Sequence, residues 1–368
     1  MNVLQIVPEL NAGGVERTTI EIAEALRGAG HTAHVASAGG RLEGELDALG
    51  GRLHKFDVGS KNLLKYRQNK KALIEIIRDY DIDIVHARSR APAWPGFAAA
   101  KATGKPFLTT YHGIYNANSN LKRRYNGIMT QGELIIANSL YTKFHIVAEH
   151  GIDPDKIRVI PRAVDMERFD LADLHPRQIE AQFKAWDVPL DSHLVLLPGR
   201  LTRWKGQLVA IEALSHLPDD YALICMGDAQ GRDEYIAEMH AACAKYKLEH
   251  RVILPGHSTE VPAAIACADI IISASTDPEA FGRVAAEAQA MQRPIVATAH
   301  GGALETVIDG KTGFLVPPGD AGALAKSIEK AANWDDYDGP AARAHILDNF
   351  SKQRLQRDTL AVYKELMT

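Results

Sequence analysis

Short apolar runs followed by longer segments of mixed character recur along the whole chain. Val3 to Val7, His31 to Ser37, Ile82 to His86, Pro106 to Tyr111, Leu134 to Asn138 and Ile157 to Ile160 read as strands. Among them, Val15 to Ala29 carries apolar residues at Ile20, Ala23 and Leu26, the spacing of one helix face, and Asn62 to Asp79 is amphipathic. The pattern resumes with strand-like runs at His193 to Pro198, Tyr221 to Met226, Val252 to Leu254, Ile270 to Ser273, Ile295 to Ala297 and Gly313 to Val316. Val284 to Met291 reads as an alanine-rich helix. Lys352 to Met367 reads as another, with Ser351 offering an N-cap. Alternation of this kind over two halves predicts an α/β protein with two doubly wound parallel sheets, each covered by helices on both faces. Asp165 to Pro189 shows no clear strand and holds Pro176 and Pro189, so a linker is expected near 163–190.

The length of 368 residues agrees with two domains. No apolar run reaches the roughly 18 residues needed to span a bilayer, and the first residues lead straight into a strand. Cys225, Cys243 and Cys267 lack metal-ligand spacing and suit reduced thiols, so a cytoplasmic protein is expected. Net charge changes the picture. Residues 1–165 hold 22 Lys and Arg against 17 Asp and Glu, a net +5, and the remainder holds 20 against 29, a net −9. The excess sits in Lys61, Lys65, Arg67, Lys70 and Lys71, and in Lys122-Arg123-Arg124. These groups are either solvated helix faces or a surface for an acidic acceptor or an anionic membrane. No nucleic-acid partner is expected.

The densest candidate chemistry lies between Glu279 and Glu287. Phe281-Gly282-Arg283-Val284 turns from a loop into a helix, and a helix start with glycine at the bend presents free backbone N–H groups to phosphate. The flanking acids are poor phosphate ligands but accept hydrogen bonds from hydroxyls, as a sugar and a ribose would supply. Upstream, Gly199-Arg200 and Lys205-Gly206 follow the strand His193 to Pro198. Arg200 and Lys205 are therefore cations at the carboxyl end of a strand, where open α/β sheets bind ligands, and they suit a diphosphate. Asp81-Ile-Asp83 has the form of a metal-binding Asp-x-Asp pair, but it reads as the turn before a buried strand.

Gly199-Arg200 with Lys205-Gly206, followed by Glu279-x7-Glu287, resembles glycosyltransferase family 4. These are retaining, metal-independent enzymes of the GT-B fold, in which two Rossmann-like domains face a central cleft. Gly13-Gly14-Val15-Glu16, Tyr111-His112-Gly113, Ala137-Asn138-Ser139, Ile157 to Pro161, Gly301-Gly302 with Glu305, and Gly310 with Gly313 to Val316 match further landmarks in order. The resemblance implies an acceptor-side domain over 1–165, joined by helix 351–368, and a nucleotide-sugar domain over 166–350. It implies that Glu279 and His112 meet the donor sugar as catalytic residues and that Glu287 accepts from the ribose. Arg200 and Lys205, with the backbone of Phe281, Gly282, Arg283 and Val284, would hold the donor, and Gly13 and Gly14 a phosphate or the acceptor. No metal or other cofactor is implied, and a UDP-sugar is expected over a GDP-sugar on family frequency. The implied acceptor is a cell-envelope glycan or glycolipid, such as lipopolysaccharide, reached by peripheral contact with an anionic membrane. A nucleotide-sugar epimerase of the same fold, or a non-catalytic binding protein, are the alternatives. His86 and Arg88 are further candidates for the acceptor. Arg162-Ala163 stands where many relatives carry Asn-Gly, and Arg162 suits either an anionic group or a paired acid.

Overall fold

The strand-sized runs pair into two parallel sheets in the computed structural model, which describes residues 1–11, 13–115, 117–188 and 191–368. The chain divides into two units, residues 1–162 with 352–368 and residues 163–351. In the first unit the described strands are β1 (Asn2–Ile6), β2 (Thr32–Ser37), β3 (Arg52–Lys55), β4 (Ile84–Ala87), β5 (Phe107–Tyr111), β6 (Leu134–Ala137) and β7 (Ile157–Val159). They lie side by side in the order β3-β2-β1-β4-β5-β6-β7. In the second unit β8 (His193–Pro198), β9 (Tyr221–Met226), β10 (Val252–Gly256), β11 (Ile270–Ser273), β12 (Ile295–Thr298) and β13 (Gly313–Val316) run in the order β10-β9-β8-β11-β12-β13. Both are the Rossmann order. Each sheet reverses its winding beside its first strand, between β1 and β4 and between β8 and β11. Loops leaving those two strand ends diverge to opposite faces and leave a crevice.

Alternation along the strands builds the cores. Leu194 and Leu196 of β8 pack into one apolar layer of the second unit, and Val195 and Leu197 into the layer on the other face. In the first unit, Leu4, Ile6, Val85 and Ala87 are fully buried where β1 meets β4.

Two expectations are corrected. Residues 163–190 are not a bare linker. Val164, Met166, Phe169 and Trp186 are buried in the second core, and Pro176–Trp186 is a helix. Pro176 sits in its first turn, where its missing N–H costs nothing, and His175 caps it. Pro189, at the expected linker end, lies outside the described residues. The edge strand β3 also escaped the pattern, because its exposed-to-half-buried residues lack the long apolar run of a central strand.

Helix Lys352–Glu365 belongs to the first unit. Gln356 donates to the carbonyl of Glu21 at 2.9 Å and to Glu24 at 2.8 Å, on helix Gly14–Gly28. Asp81-Ile-Asp83 lies at the amino end of β4, where Asp83 accepts from the backbone N–H of Asn2 at 2.8 Å. No helix among the described residues is long and apolar enough to cross a membrane.

Candidate active site

In the second unit the chain leaving β8 passes Gly199 and Arg200 and tightens into a turn at Arg203–Lys205. Gly206 ends that turn at φ +76°, and a Cβ there would stand 1.9 Å from the carbonyl oxygen of Ala274, just past β11. Only glycine brings the two strand ends so close. The approach sets Lys205 against the loop after β11. Its Nζ lies 2.8 Å from Glu279 Oε1, which also accepts from Ser275 Oγ at 2.6 Å. The lysine and glutamate side chains are only 13% and 17% exposed, so the pair is largely shielded from bulk water. The ammonium also lies 4.6 Å from the centre of the Trp204 ring, which fixes it from a second side.

From Glu279 the chain runs to Phe281, buried against Phe350, and then to Gly282 at φ +73°. Gly282 is the N-cap of helix Arg283–Ala290 and makes no side-chain cap, so the orphan N–H groups of the first turn remain for a ligand. One turn along, Arg283 bonds Glu287 at 2.6 Å. Glu287 is nearly buried and Arg283 half-exposed. The guanidinium thus compensates an acid that would otherwise be costly to bury.

Arg200, Arg283, Val284 and Glu287 line one cavity of about 390 Å³, walled also by Met226 at the end of β9 and Gly227 just beyond it. That volume lies in the range of small-molecule sites. Lys205 and Glu279 are not part of that wall. The Lys205 side chain instead runs behind Gly199, 3.7 Å from where a Cβ of Gly199 would stand. The second unit therefore gathers its predicted residues into two adjoining groups. Lys205 and Glu279 form an ion pair, and Arg200, Arg283, Val284 and Glu287 form a cavity wall. Sequence reasoning treated Arg283 only as a backbone donor. Its side-chain bond to Glu287 was missed, although the i,i+4 spacing carried the signal.

In the first unit His112 follows β5. Both its ring nitrogens are buried without a hydrogen-bond partner among the described residues. Burial, and then the nearby Arg88 and Arg162 guanidinium groups, push its pKa well below the usual histidine value. The imidazole is therefore neutral near pH 7 and can donate one hydrogen bond and accept another. Its carbonyl is held by Asn138 at 3.1 Å and by Arg162 at 2.9 Å. Arg162 thus braces the histidine loop, a role the sequence did not suggest. Its guanidinium also lies where a Cβ of Gly14 would be, 2.3 Å away, so Gly14 makes room for it at the start of helix Gly14–Gly28. Gly13 is that helix's N-cap and likewise adds no side-chain cap.

His86 and Arg88 prove to be internal. His86 is fully buried, with Tyr363 and Thr110 each 2.7 Å from one ring nitrogen. Arg88 is buried too, and burial lowers its pKa to about 10 while it donates to Gln5 at 3.0 Å. Neither is displayed to an acceptor. Among the described residues no group of three or more His, Cys, Asp or Glu is placed to hold a metal ion.

The family model for Glycosyltransferase Family 4 matches residues 12–168, and that for Glycosyl transferases group 1 matches residues 178–342. A crystal structure of a glycosyltransferase from Rickettsia africae is 39% identical, covers 100% of this chain and 98% of its own, and superposes with a TM-score of 0.91. The Anabaena protein HepE, solved in complex with UDP, is 25% identical, covers 99% of this chain and 100% of its own, and has a TM-score of 0.86. A D-inositol 3-phosphate glycosyltransferase of Xylanimonas cellulosilytica is 30% identical over 260 residues, which are 66% of this chain but only 62% of that relative's length. With sheet order, family models and relatives in agreement, the chain belongs to glycosyltransferase family 4, and its two units are the Rossmann-like domains of a GT-B protein.

Proposed function

We propose that this protein transfers a sugar from a nucleotide-sugar, specifically a UDP-sugar, to an acceptor hydroxyl, with retention at the anomeric carbon and without a metal. The observation that carries the reading is the Lys205–Glu279 pair at the adjoining ends of β8 and β11, beside the Gly282 helix start. Arg200, Lys205 and the first-turn N–H groups hold the diphosphate and stabilise it as it departs, the part a divalent cation plays elsewhere. Lys205 and Ser275 both contact Oε1 of Glu279, and its other oxygen receives the donor sugar's hydroxyls. Glu287, steadied by Arg283, takes the ribose. Attack from the same face as the leaving group, with the hydroxyl proton passing to the departing phosphate, needs no covalent nucleophile. The neutral His112 serves the donor sugar as a hydrogen-bonding group. HepE, solved with UDP, supports the choice of base.

The acceptor is assigned to the first unit, as a cell-envelope glycan or glycolipid met at the face of an anionic membrane. The positive balance of that unit supports this assignment. The test is a thermal-shift panel of UDP- and GDP-sugars with and without EDTA, followed by chromatography of the products. A UDP-sugar should raise Tm and be hydrolysed slowly in the presence of EDTA, with the released sugar in the α or β form of the donor. No shift with any nucleotide-sugar, or activity that EDTA abolishes and magnesium restores, overturns the reading. An interconverted sugar still joined to UDP would make the protein an epimerase.

A further inference from the structure

The geometry points to a lipid that carries a phosphate as the acceptor, held by its phosphate at the winding reversal of the first sheet and by its chain in an aromatic groove alongside. This rests on the sugar-transfer reading and names the acceptor class for it. Pro8, just beyond β1, and Ser89, just beyond β4, stand on either side of the reversal, and a cavity of about 590 Å³ opens between them. Its wall carries three cations, Lys61, Arg90 and Lys122. Next to it lies a second cavity of about 380 Å³, walled by Tyr66, Trp94, Pro95 and Tyr125. Lys61, Ala91 and Tyr125 belong to both walls, so the two are arms of one groove.

The cationic arm lacks compensation. Elsewhere in the basic stretches Lys65 pairs with Asp57, Lys71 with Glu75 and Arg123 with Glu149, while Arg67, Lys70 and Arg124 stand outside the cavity. Among the described residues no carboxylate lies within 4 Å of Lys61, Arg90 or Lys122. The Arg90 guanidinium is fixed by Asn126 at 2.8 Å and by the Tyr115 ring, 4.1 Å from its centre. Three cations around one pocket, one of them pre-positioned, fit a phosphate or diphosphate. The other arm has the opposite character. Trp94 and Tyr125 stack with ring centres 6.2 Å apart, and Pro95 and the Tyr66 ring add apolar wall. Close in sequence to Lys61 and Lys122, Leu64 is 72% exposed and Leu121 is 81% exposed. A soluble phosphosugar would fill the cationic arm and leave the aromatic arm and both leucines unused. An alkyl or prenyl chain joined to a phosphate uses all three.

The probe is decyl phosphate below its micelle concentration, titrated into the full chain by calorimetry, with inorganic phosphate and decyl maltoside as the two half-ligands. Decyl phosphate should bind at least tenfold more tightly than either. The K61Q/K122Q double variant and W94A should each weaken it at least tenfold while UDP binding and the hydrogen-exchange protection of strands β1 to β7 are unchanged, which shows that both units of each variant are folded. No binding of decyl phosphate, or equal affinity in either variant, overturns the proposal. Inorganic phosphate binding as tightly as decyl phosphate would assign the cationic arm to a soluble phosphate and overturn the lipid. If instead no nucleotide-sugar binds, the donor reading fails whatever decyl phosphate does, so the two failures are told apart.

Discussion

The two sheets share their winding and differ at the edge where it reverses. At β8 and β11 the strand ends are drawn together by Gly206, and most of the charge there is matched, Lys205 with Glu279 and Arg283 with Glu287, with Arg200 alone of the site's named cations lacking a carboxylate within 4 Å among the described residues. At β1 and β4 the cavity is larger, about 590 Å³ against about 390 Å³, aromatic on one side and lined by cations without carboxylate partners among the described residues. A shared winding therefore sets where a crevice opens, while the loops set what lines it. A matched edge keeps acceptor oxygens beside its cations, whereas an edge of cations alone carries net positive charge.

The sharpest way to break the comparison is at the matched edge. Glu279→Gln keeps the shape but removes the negative charge beside Lys205. Donor hydrolysis should fall about a hundredfold or more, while calorimetric donor affinity changes little. Glu287→Gln should do the reverse, weakening the donor about tenfold with a small change in turnover, because ribose contacts alter little as the anomeric bond breaks. An exchanged pattern would exchange the two roles. Next in size is Gly206→Ala. It adds a Cβ against Ala274 at a left-handed backbone position and should cost about 3 kcal/mol in urea unfolding of the second unit. A cost below about 1 kcal/mol would mean that the close approach of β8 and β11 is not needed.

Acid should separate the units. Burial lowers the pKa of His34 to about 4 and also depresses His86 and His112, all in the first unit, and repulsion from neighbouring arginines and histidines adds to it. In the second unit His345 is lowered, mainly by burial. A histidine whose folded pKa lies below its unfolded value binds fewer protons when folded. Its contribution is complete above the unfolded value near 6.5 and is lost as pH falls toward the folded one. Hydrogen exchange between pH 6.5 and 4 should therefore show protection lost earlier in residues 1–162 than in 163–351. Earlier loss in 163–351 would contradict this. The smallest effect is expected at the compensated lysines. Lys71 and Glu75 are 81% and 59% exposed, so Lys71→Gln should change stability by less than about 0.5 kcal/mol and leave decyl phosphate binding unaltered. A tenfold loss of that binding would mean that the basic surface acts as a whole and that Lys61 and Lys122 hold no special place.

Much of this architecture is legible in the sequence, for identifiable reasons. Central parallel strands are apolar on both faces, so β1, β5, β8 and β9 stand out as runs such as His193 to Pro198. Edge strand β3 reads Arg-Leu-His-Lys and carries no such signal. Helix Arg90–Thr103 holds Pro92 and Pro95 and reads as a broken segment until packing supplies what its propensity lacks. Helix Pro176–Trp186 hides in a proline-bearing stretch for the same reason. At the site, residue types and spacing point to Arg200, Lys205, Glu279 and Glu287. They do not reveal that Lys205 touches Glu279 across 74 residues of sequence. Nor do they show that His86 is spent on Tyr363 from a helix 277 residues away. Contacts set by tertiary packing leave no periodicity to read.

The distance between His86 and Tyr363 also orders events during synthesis. The ribosome delivers residues 163–351 before it delivers helix Lys352–Glu365. Until then His86 faces its sheet without the phenol it bonds, and the face of helix Gly14–Gly28 that receives Gln356 is bare. The unit made first is thus finished after the unit made second. A nascent chain stalled at residue 351 would carry a complete second unit and an unsealed first one, open to chaperones and proteases until helix Lys352–Glu365 arrives.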